Sequence, residues 1–120
     1  IIGNFFHGSN NAGTAAGMRI VGGDSHYIGY NVIIGNFTTT LGGVENVTTG
    51  ATNLIIEGNV IYNRTASSTV AITCQATATG HIAKNSLQVL TGTAPIVGAA
   101  MAWAGPNYYS STIATVSVLL

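Results

Sequence analysis

Apolar positions in this chain come in short alternating bursts, and the bursts themselves recur. Residues 1–6 read IIGNFF, residues 28–33 IGYNVI, residues 56–61 IEGNVI and residues 82–87 IAKNSL. Each copy is Ile, two residues, Asn, one residue, then an apolar side chain. The motif residues Asn4, Asn31, Asn59 and Asn85 follow one another at separations of 27, 28 and 26. A second series runs between them: Met18, Val44, Val70 and Ile96, at a constant step of 26. Two series with one period of this size mark a stacked architecture, in which each repeat covers its neighbour.

One period holds three short segments rich in branched side chains, typified by 59–64 (NVIYNR), 70–74 (VAITC) and 81–84 (HIAK), and such segments read as strands. Turn-forming stretches separate the segments, at 9–17, 38–43, 65–68 and 91–95. No stretch sustains a 3.6-residue periodicity. Coils of three strands stacked ~4.8 Å apart make parallel, in-register sheets. The pattern therefore predicts an all-β parallel β-helix of about four coils of ~26–28 residues. The coils are expected over residues 1–111, and a C-terminal strand or tail over 112–120.

The register assigns faces. Ile1, Ile28, Ile56 and Ile82 form one expected inward column, and Phe6, Ile33, Ile61 and Leu87 a second. Met18, Val44, Val70 and Ile96 form a third. Two positions on, Ile20 and Ile72 start a fourth that Asn46 and Gly98 interrupt. One position on, Arg19, Glu45, Ala71 and Val97 should point outward, because side chains alternate along a strand. That makes Arg19 and Glu45 an exposed ion pair between adjacent coils, the only opposite charges the register brings together. The four motif Asn residues are expected to stack at a sharp turn. Asn tolerates left-handed backbone, and each amide can donate to the next amide and accept from the previous one. Asn63, just outside the motif, is expected to matter less.

Composition narrows the function classes. Of 120 residues only six are charged, and the formal net charge is zero. No basic stripe is present for nucleic acid, and no apolar run reaches the ~18 residues that cross a membrane as a helix. The single cysteine, Cys74, can form no internal disulfide and is expected to be a buried, inert thiol. The acids Asp24, Glu45 and Glu57 occupy different coil offsets, so no carboxylate pair is forced into acid–base geometry. His7, His26 and His81 do not converge on a metal. Catalytic, cofactor and metal sites are accordingly expected to be none. The triplets NFT (36–38), NVT (46–48) and NRT (63–65) match the glycosylation pattern, but arise readily in a Thr- and Asn-rich chain. Tyr27, Tyr30, Tyr62, Trp103, Tyr108 and Tyr109 offer stacking faces for a sugar; the last cluster equally suits a core cap or an intersubunit seam.

Ile-x-x-Asn-x-apolar at coil spacing resembles the right-handed parallel β-helix superfamily of pectate lyases, polygalacturonases and phage tailspikes. The stretches DSHYIGYNVIIGNF (24–37) and NLIIEGNVIYNRTASSTVAITCQATATGHIAKNSLQVLTGTAPI (53–96) look like the C-terminal half of β-helix proteins common in tailed-phage and prophage genomes. NYYSSTIATVSVLL (107–120) is similar to the ends of those proteins. The resemblance implies a right-handed helix and a non-enzymatic virion structural role: a capsid decoration, head fibre or tail-associated rod on the phage surface. Its implied partners are other virion proteins and itself, as a homotrimer, with a surface glycan in addition and neither nucleic acid nor membrane. The alternative is an extracellular piece of a tailspike-like glycan depolymerase or a glycan-binding adhesin. The family carries further N-terminal coils, so Ile1, Phe6 and Met18 are expected to lie on an apolar top that something else covers. Val116, Val118 and Leu120 alternate with Thr115, Ser117 and Leu119, a strand expected to pair with the β-helix or a neighbouring subunit.

Overall fold

A computed structural model of the chain describes residues 1–8, 16–37, 42–46, 51–66, 68–91, 96–97, 102–103, 106–112 and 115–119. The first repeat gives β1 (Phe5–His7), β2 (Met18–Ile20) and β3 (Tyr27–Gly29). The second gives β4 (Val32–Gly35), β5 (Val44–Asn46) and β6 (Leu54–Glu57). The third gives β7 (Val60–Asn63), β8 (Ile72–Thr73) and β9 (Gly80–Ala83). The fourth gives β10 (Ser86–Gln88), β11 (Ile96–Val97) and β12 (Ala102–Trp103), and β13 (Asn107–Thr112) and β14 (Thr115–Leu119) follow. Among the described residues there is no helix.

Every third strand joins the same sheet. The first sheet runs β1-β4-β7-β10-β13-β14, the second β2-β5-β8-β11 and the third β3-β6-β9-β12. All pairings between the named strands are parallel except the last, where β13 and β14 form an antiparallel pair with Tyr108 opposite Val118. The alternating C-terminal segment thus finds its partner within its own chain. The boundary expected at 111/112 falls inside β13.

The branched and apolar positions stack in register. Phe6, Ile33, Ile61 and Leu87 align in the first sheet, and Tyr109 extends the column. Ile28, Ile56 and Ile82 align in the third sheet, with Trp103 next in register. Ile33, Ile56 and Ile61 are wholly excluded from solvent, and burying such a side chain stabilises by ~1.5–3 kcal/mol. Ile1 stays exposed and Phe6 is half-buried. Met18, expected on the same open top, is buried. Phe37, another buried ring, lies on glycines: a Cβ on Gly8, Gly17 or Gly35 would come within 2.9, 2.8 or 3.0 Å of it. The absent side chains make the space that the ring fills.

The third inward column needs correction. Met18 pairs with Val44, but Val44 pairs with Ile72, and Ile72 with Ile96. Val70 is not a member. The second and third repeats are offset by 28 at Asn31–Asn59, and the same offset holds at Ile33–Ile61 and Val44–Ile72. A constant step of 26 therefore falls two short. A slip of two preserves the side on which a residue points, and Val70 is accordingly buried all the same. The same slip places Thr73, not Ala71, between Glu45 and Val97 in the outward column, and Ala71 is fully buried. It also removes Ile72 from the expected fourth column by placing it in the third, between Val44 and Ile96; the Ile20–Asn46 step of that column is in the expected register, and Gly98 lies outside the described residues. Asn46 is buried with its amide Nδ2 donating to the Ile20 carbonyl at 3.1 Å and its Oδ1 accepting from the Ala51 N–H at 3.3 Å.

Candidate functional site

The turn into each of the four motif Asn residues is built the same way. A residue in the left-handed region precedes each motif Asn: Gly3, Tyr30, Gly58 and Lys84, with φ of 68, 55, 66 and 56°. The Asn residues themselves do not take that conformation, contrary to the sequence expectation. Their contribution is the side chain. Asn59 Oδ1 accepts from the backbone N–H of Asn31 at 2.9 Å and from its Nδ2 at 3.0 Å. Asn59 Nδ2 donates to the Ile28 carbonyl and to Asn85 Oδ1, both at 2.9 Å. Asn4 and Asn31 repeat the amide-to-amide contact at 3.2 Å.

A fifth member, Asn107, takes the next place, with Oδ1 accepting from Asn85 Nδ2 at 3.0 Å and Nδ2 donating to the Ile82 carbonyl at 3.0 Å. Sequence reasoning missed it because it comes only 22 residues after Asn85 and lacks the Ile three positions before. Its signal was the Asn-x-aromatic run NYY. Asn63 was underrated as well. It is fully buried, its Oδ1 accepts from the Phe37 and Thr65 N–H groups, and its Nδ2 donates to the Val70 carbonyl.

The outer side of this turn carries exposed aromatic and charged side chains. The Tyr30 ring lies on the backbone of Gly58, where a Cβ would fall 2.7 Å from it, yet Tyr30 remains 60% exposed. Tyr27 folds over Gly29 in the same manner. One repeat on, Lys84 Nζ donates to Glu57 Oε1 at 2.8 Å. His81 sits beside Ile55 in register, two strands from Tyr27. Partial desolvation, then the neighbouring Tyr30 and Glu57, push the Tyr27 phenol above its ordinary 10.0. The hydrogen bond from Lys84 holds Glu57 below 4.5, and the same bond with the Glu57 charge holds Lys84 above 10.5.

The other two carboxylates are also engaged across repeats. Arg19 Nε meets Glu45 Oε2 at 2.9 Å. The sequence expected this pair to be exposed and unique. Instead the Glu45 side chain is only 3% exposed, and Glu57–Lys84 is a second pair. Asp24 accepts from Thr52 Oγ1 at 2.6 Å and from Asn53 Nδ2 at 3.1 Å, and the Thr52 bond is the main cause that lowers its pKa. Among the described residues, no three His, Cys, Asp or Glu side chains gather as metal ligands. His26 instead bonds the Gly22 carbonyl at 2.9 Å.

Two expected results arise here. Burial pushes the Cys74 thiol up to about 12. A maleimide or disulfide reagent at pH 8 should therefore label Cys74 only at the rate at which the chain unfolds. Labelling of native protein as fast as of urea-unfolded protein would refute the buried placement. The second concerns the Glu57–Lys84 pair. Glu57 has a folded pKa below its unfolded value, so its contribution is full above 4.5 and fades as pH falls through the lower folded value. The Tm gap between wild type and Glu57→Gln should be widest near neutrality and close at acid pH. A gap that stays constant across that range would contradict the pairing.

No family model matches the chain, and no curated protein and no solved structure matches it.

Proposed function

We propose that the chain is a non-enzymatic structural rod, a right-handed parallel β-helix of the tailed-phage virion type, serving as a capsid decoration, head fibre or tail-associated part. The observation that carries this reading is the five-residue Asn ladder. Asn4, Asn31, Asn59, Asn85 and Asn107 run across four successive junctions with the same bonds. Strands that return to the same sheet every third element, with one Asn amide linking each repeat to the next, fit a solenoid whose three sheets are its faces. In this reading the mechanism is mechanical. Backbone ladders and inward stacks hold the outer surface at a fixed ~4.8 Å pitch.

The three carboxylates favour this reading over a depolymerase. Each is committed to a partner in a neighbouring repeat: Asp24 to Thr52, Glu45 to Arg19, Glu57 to Lys84. A glycosidase needs two carboxylates facing one bond at ~5–10 Å. Association as a homotrimer and with other virion proteins belongs to the same proposal.

The test is biochemical. Antibodies raised against the chain should detect it in gradient-purified phage particles induced from the source strain, at constant ratio to the major capsid protein across the peak. Its absence from the particles, or release of reducing sugar from bacterial polysaccharide by the purified chain, would replace this reading with the secreted or enzymatic alternative. Light scattering of the purified chain should report a trimer; a monodisperse monomer would remove the trimer from the proposal.

A further inference from the structure

We propose that the outer face of the first sheet is the surface by which copies of this chain associate, side by side and level, each strand against the same strand of its neighbour. The inference rests on the reading of the chain as a self-associating rod, and names the surface and its register. The distribution of charge is the first ground. The six charged residues are Arg19, Asp24, Glu45, Glu57, Arg64 and Lys84, and none lies in β1, β4, β7, β10, β13 or β14. Arg19 and Glu45 belong to the second sheet, Glu57 to the third, and the others lie outside the strands. What the first sheet turns outward is one column of Phe5, Val32, Val60, Ser86 and Tyr108, aligned in register. Beside it runs a second, of His7, Ile34, Tyr62 and Gln88. Phe5, Val60 and Tyr108 are 68, 43 and 45% exposed. A contiguous apolar face marks an interaction site, and interface cores are likewise rich in aromatics and poor in charge.

Charge and level together choose the partner. A charged surface docked here would lose its hydration and meet no counter-charge, whereas a copy of the same face brings no charge with it. The two columns also differ from rung to rung. In β4 they present Val32 with Ile34, in β7 Val60 with Tyr62, and in β10 Ser86 with Gln88. The β10 rung is therefore polar at both positions, next to rungs that are mainly apolar. A rotation about an axis along the stack keeps every strand level with its copy and sets each column against the other column of the neighbour. Ser86 then meets Gln88, hydroxyl to amide, and Val60 meets Tyr62. If one copy is inverted with the six strands fully overlapped, β10 falls on β7. Ser86 then lies on Val60, and Gln88 on Tyr62. One polar layer in an apolar seam thus fixes register and direction, as a buried Asn does in a coiled coil.

The test uses the purified chain, so its outcome is separate from the detection of the chain in particles. Sedimentation equilibrium over a concentration series should show self-association that Val60→Lys weakens about tenfold or more. Tyr108→Ser should weaken it as well, and both variants should fold as wild type by circular dichroism. Val97→Lys, at an exposed position of the second sheet, should leave it unchanged. Association as strong in Val60→Lys and Tyr108→Ser as in wild type would overturn the surface and leave the trimer standing; a monomer at every concentration would overturn both. Cross-linking reads the register. In a Cys74→Ser background, a mixture of Ser86→Cys and Gln88→Cys chains should form the mixed disulfide with diamide, and a mixture of Ser86→Cys and Val60→Cys chains should form far less. The reverse preference would overturn the level arrangement.

Discussion

Asn59→Ala is expected to lower the melting temperature by about 10 °C, and Asn4→Ala by a small fraction of that. Asn59 is 1% exposed. Its amide accepts from the backbone N–H and the Nδ2 of Asn31, and donates to the Ile28 carbonyl and to Asn85 Oδ1. Alanine removes these four bonds and a fifth, from Asn59 Nδ2 to the Glu57 carbonyl, at a buried corner. The Asn31 N–H is then left with no acceptor in place, and a buried unsatisfied group costs ~1–3 kcal/mol. The Ile28 carbonyl and both neighbouring amides each lose a partner, so a total of ~3 kcal/mol is expected. In a domain of this size each kcal/mol moves Tm by about 3–4 °C. Asn4 makes the same kind of bonds at the exposed end of the ladder, where water replaces what is lost. Thermal unfolding of the two variants side by side is the measurement, and equal melting temperatures would mean that burial of the ladder contributes nothing.

Gly80→Ala is the second, and its effect is expected to be larger still. Gly80 has φ of 133°, a backbone that L side chains rarely adopt. It pairs directly with Leu54, and a Cβ there would lie 2.0 Å from the Leu54 carbonyl oxygen and 2.6 Å from its nitrogen. The obstacle is backbone, so no rotamer change relieves it. β6 and β9 would have to separate where the third sheet is continuous. A loss of ~4 kcal/mol or more is expected, enough to leave a marginally stable domain substantially unfolded at room temperature. Urea titration checks it: a midpoint within error of wild type would show that this contact is not as close as described. Gly3→Ala is the reference, since its φ is also left-handed, at 68°, but nothing lies within 4 Å of the added carbon.

What the sequence revealed, and what it hid, follows from which interactions are periodic. The Ile-x-x-Asn-x-apolar motif carries strand, turn and strand in one unit, so parallel pairing and the columns through Ile28 and Ile33 were legible in it. The error at Val70 came from the turns. Loops absorb insertions at small cost, so repeats of unequal length, 28 at Asn31–Asn59 and 26 at Asn59–Asn85, still align their strands. A ruler of fixed length drifts across them. Asn107 escaped for the same reason, after a shorter repeat. Glu45 was read as exposed because it alternates with Val44, but alternation tells which side of a strand a group is on, not what covers that side. The corner at Tyr30 was half visible. Its tyrosines were noted as stacking faces, whereas the left-handed backbone beneath one of them, and the Glu57–Lys84 pair beside it, exist only once repeats are brought side by side.

The uniform junction has a kinetic corollary. Pairing strands recur at a nearly constant separation along Ile28, Ile56 and Ile82, so each added repeat closes a loop of about the same length and meets about the same entropic cost. Non-local contacts of that span make a slow first step. After it, each amide offers the next a ready-placed partner, and order can spread rung by rung in either direction. The antiparallel pairing of β14 on β13 breaks this run. A strand of opposite direction presents a different hydrogen-bond spacing from the parallel edge before it, so propagation past β13 cannot simply copy the preceding rung. Folding should therefore behave as a zipper with a stop built into one end, with the hairpin docking as a distinct event from the advance of the repeats.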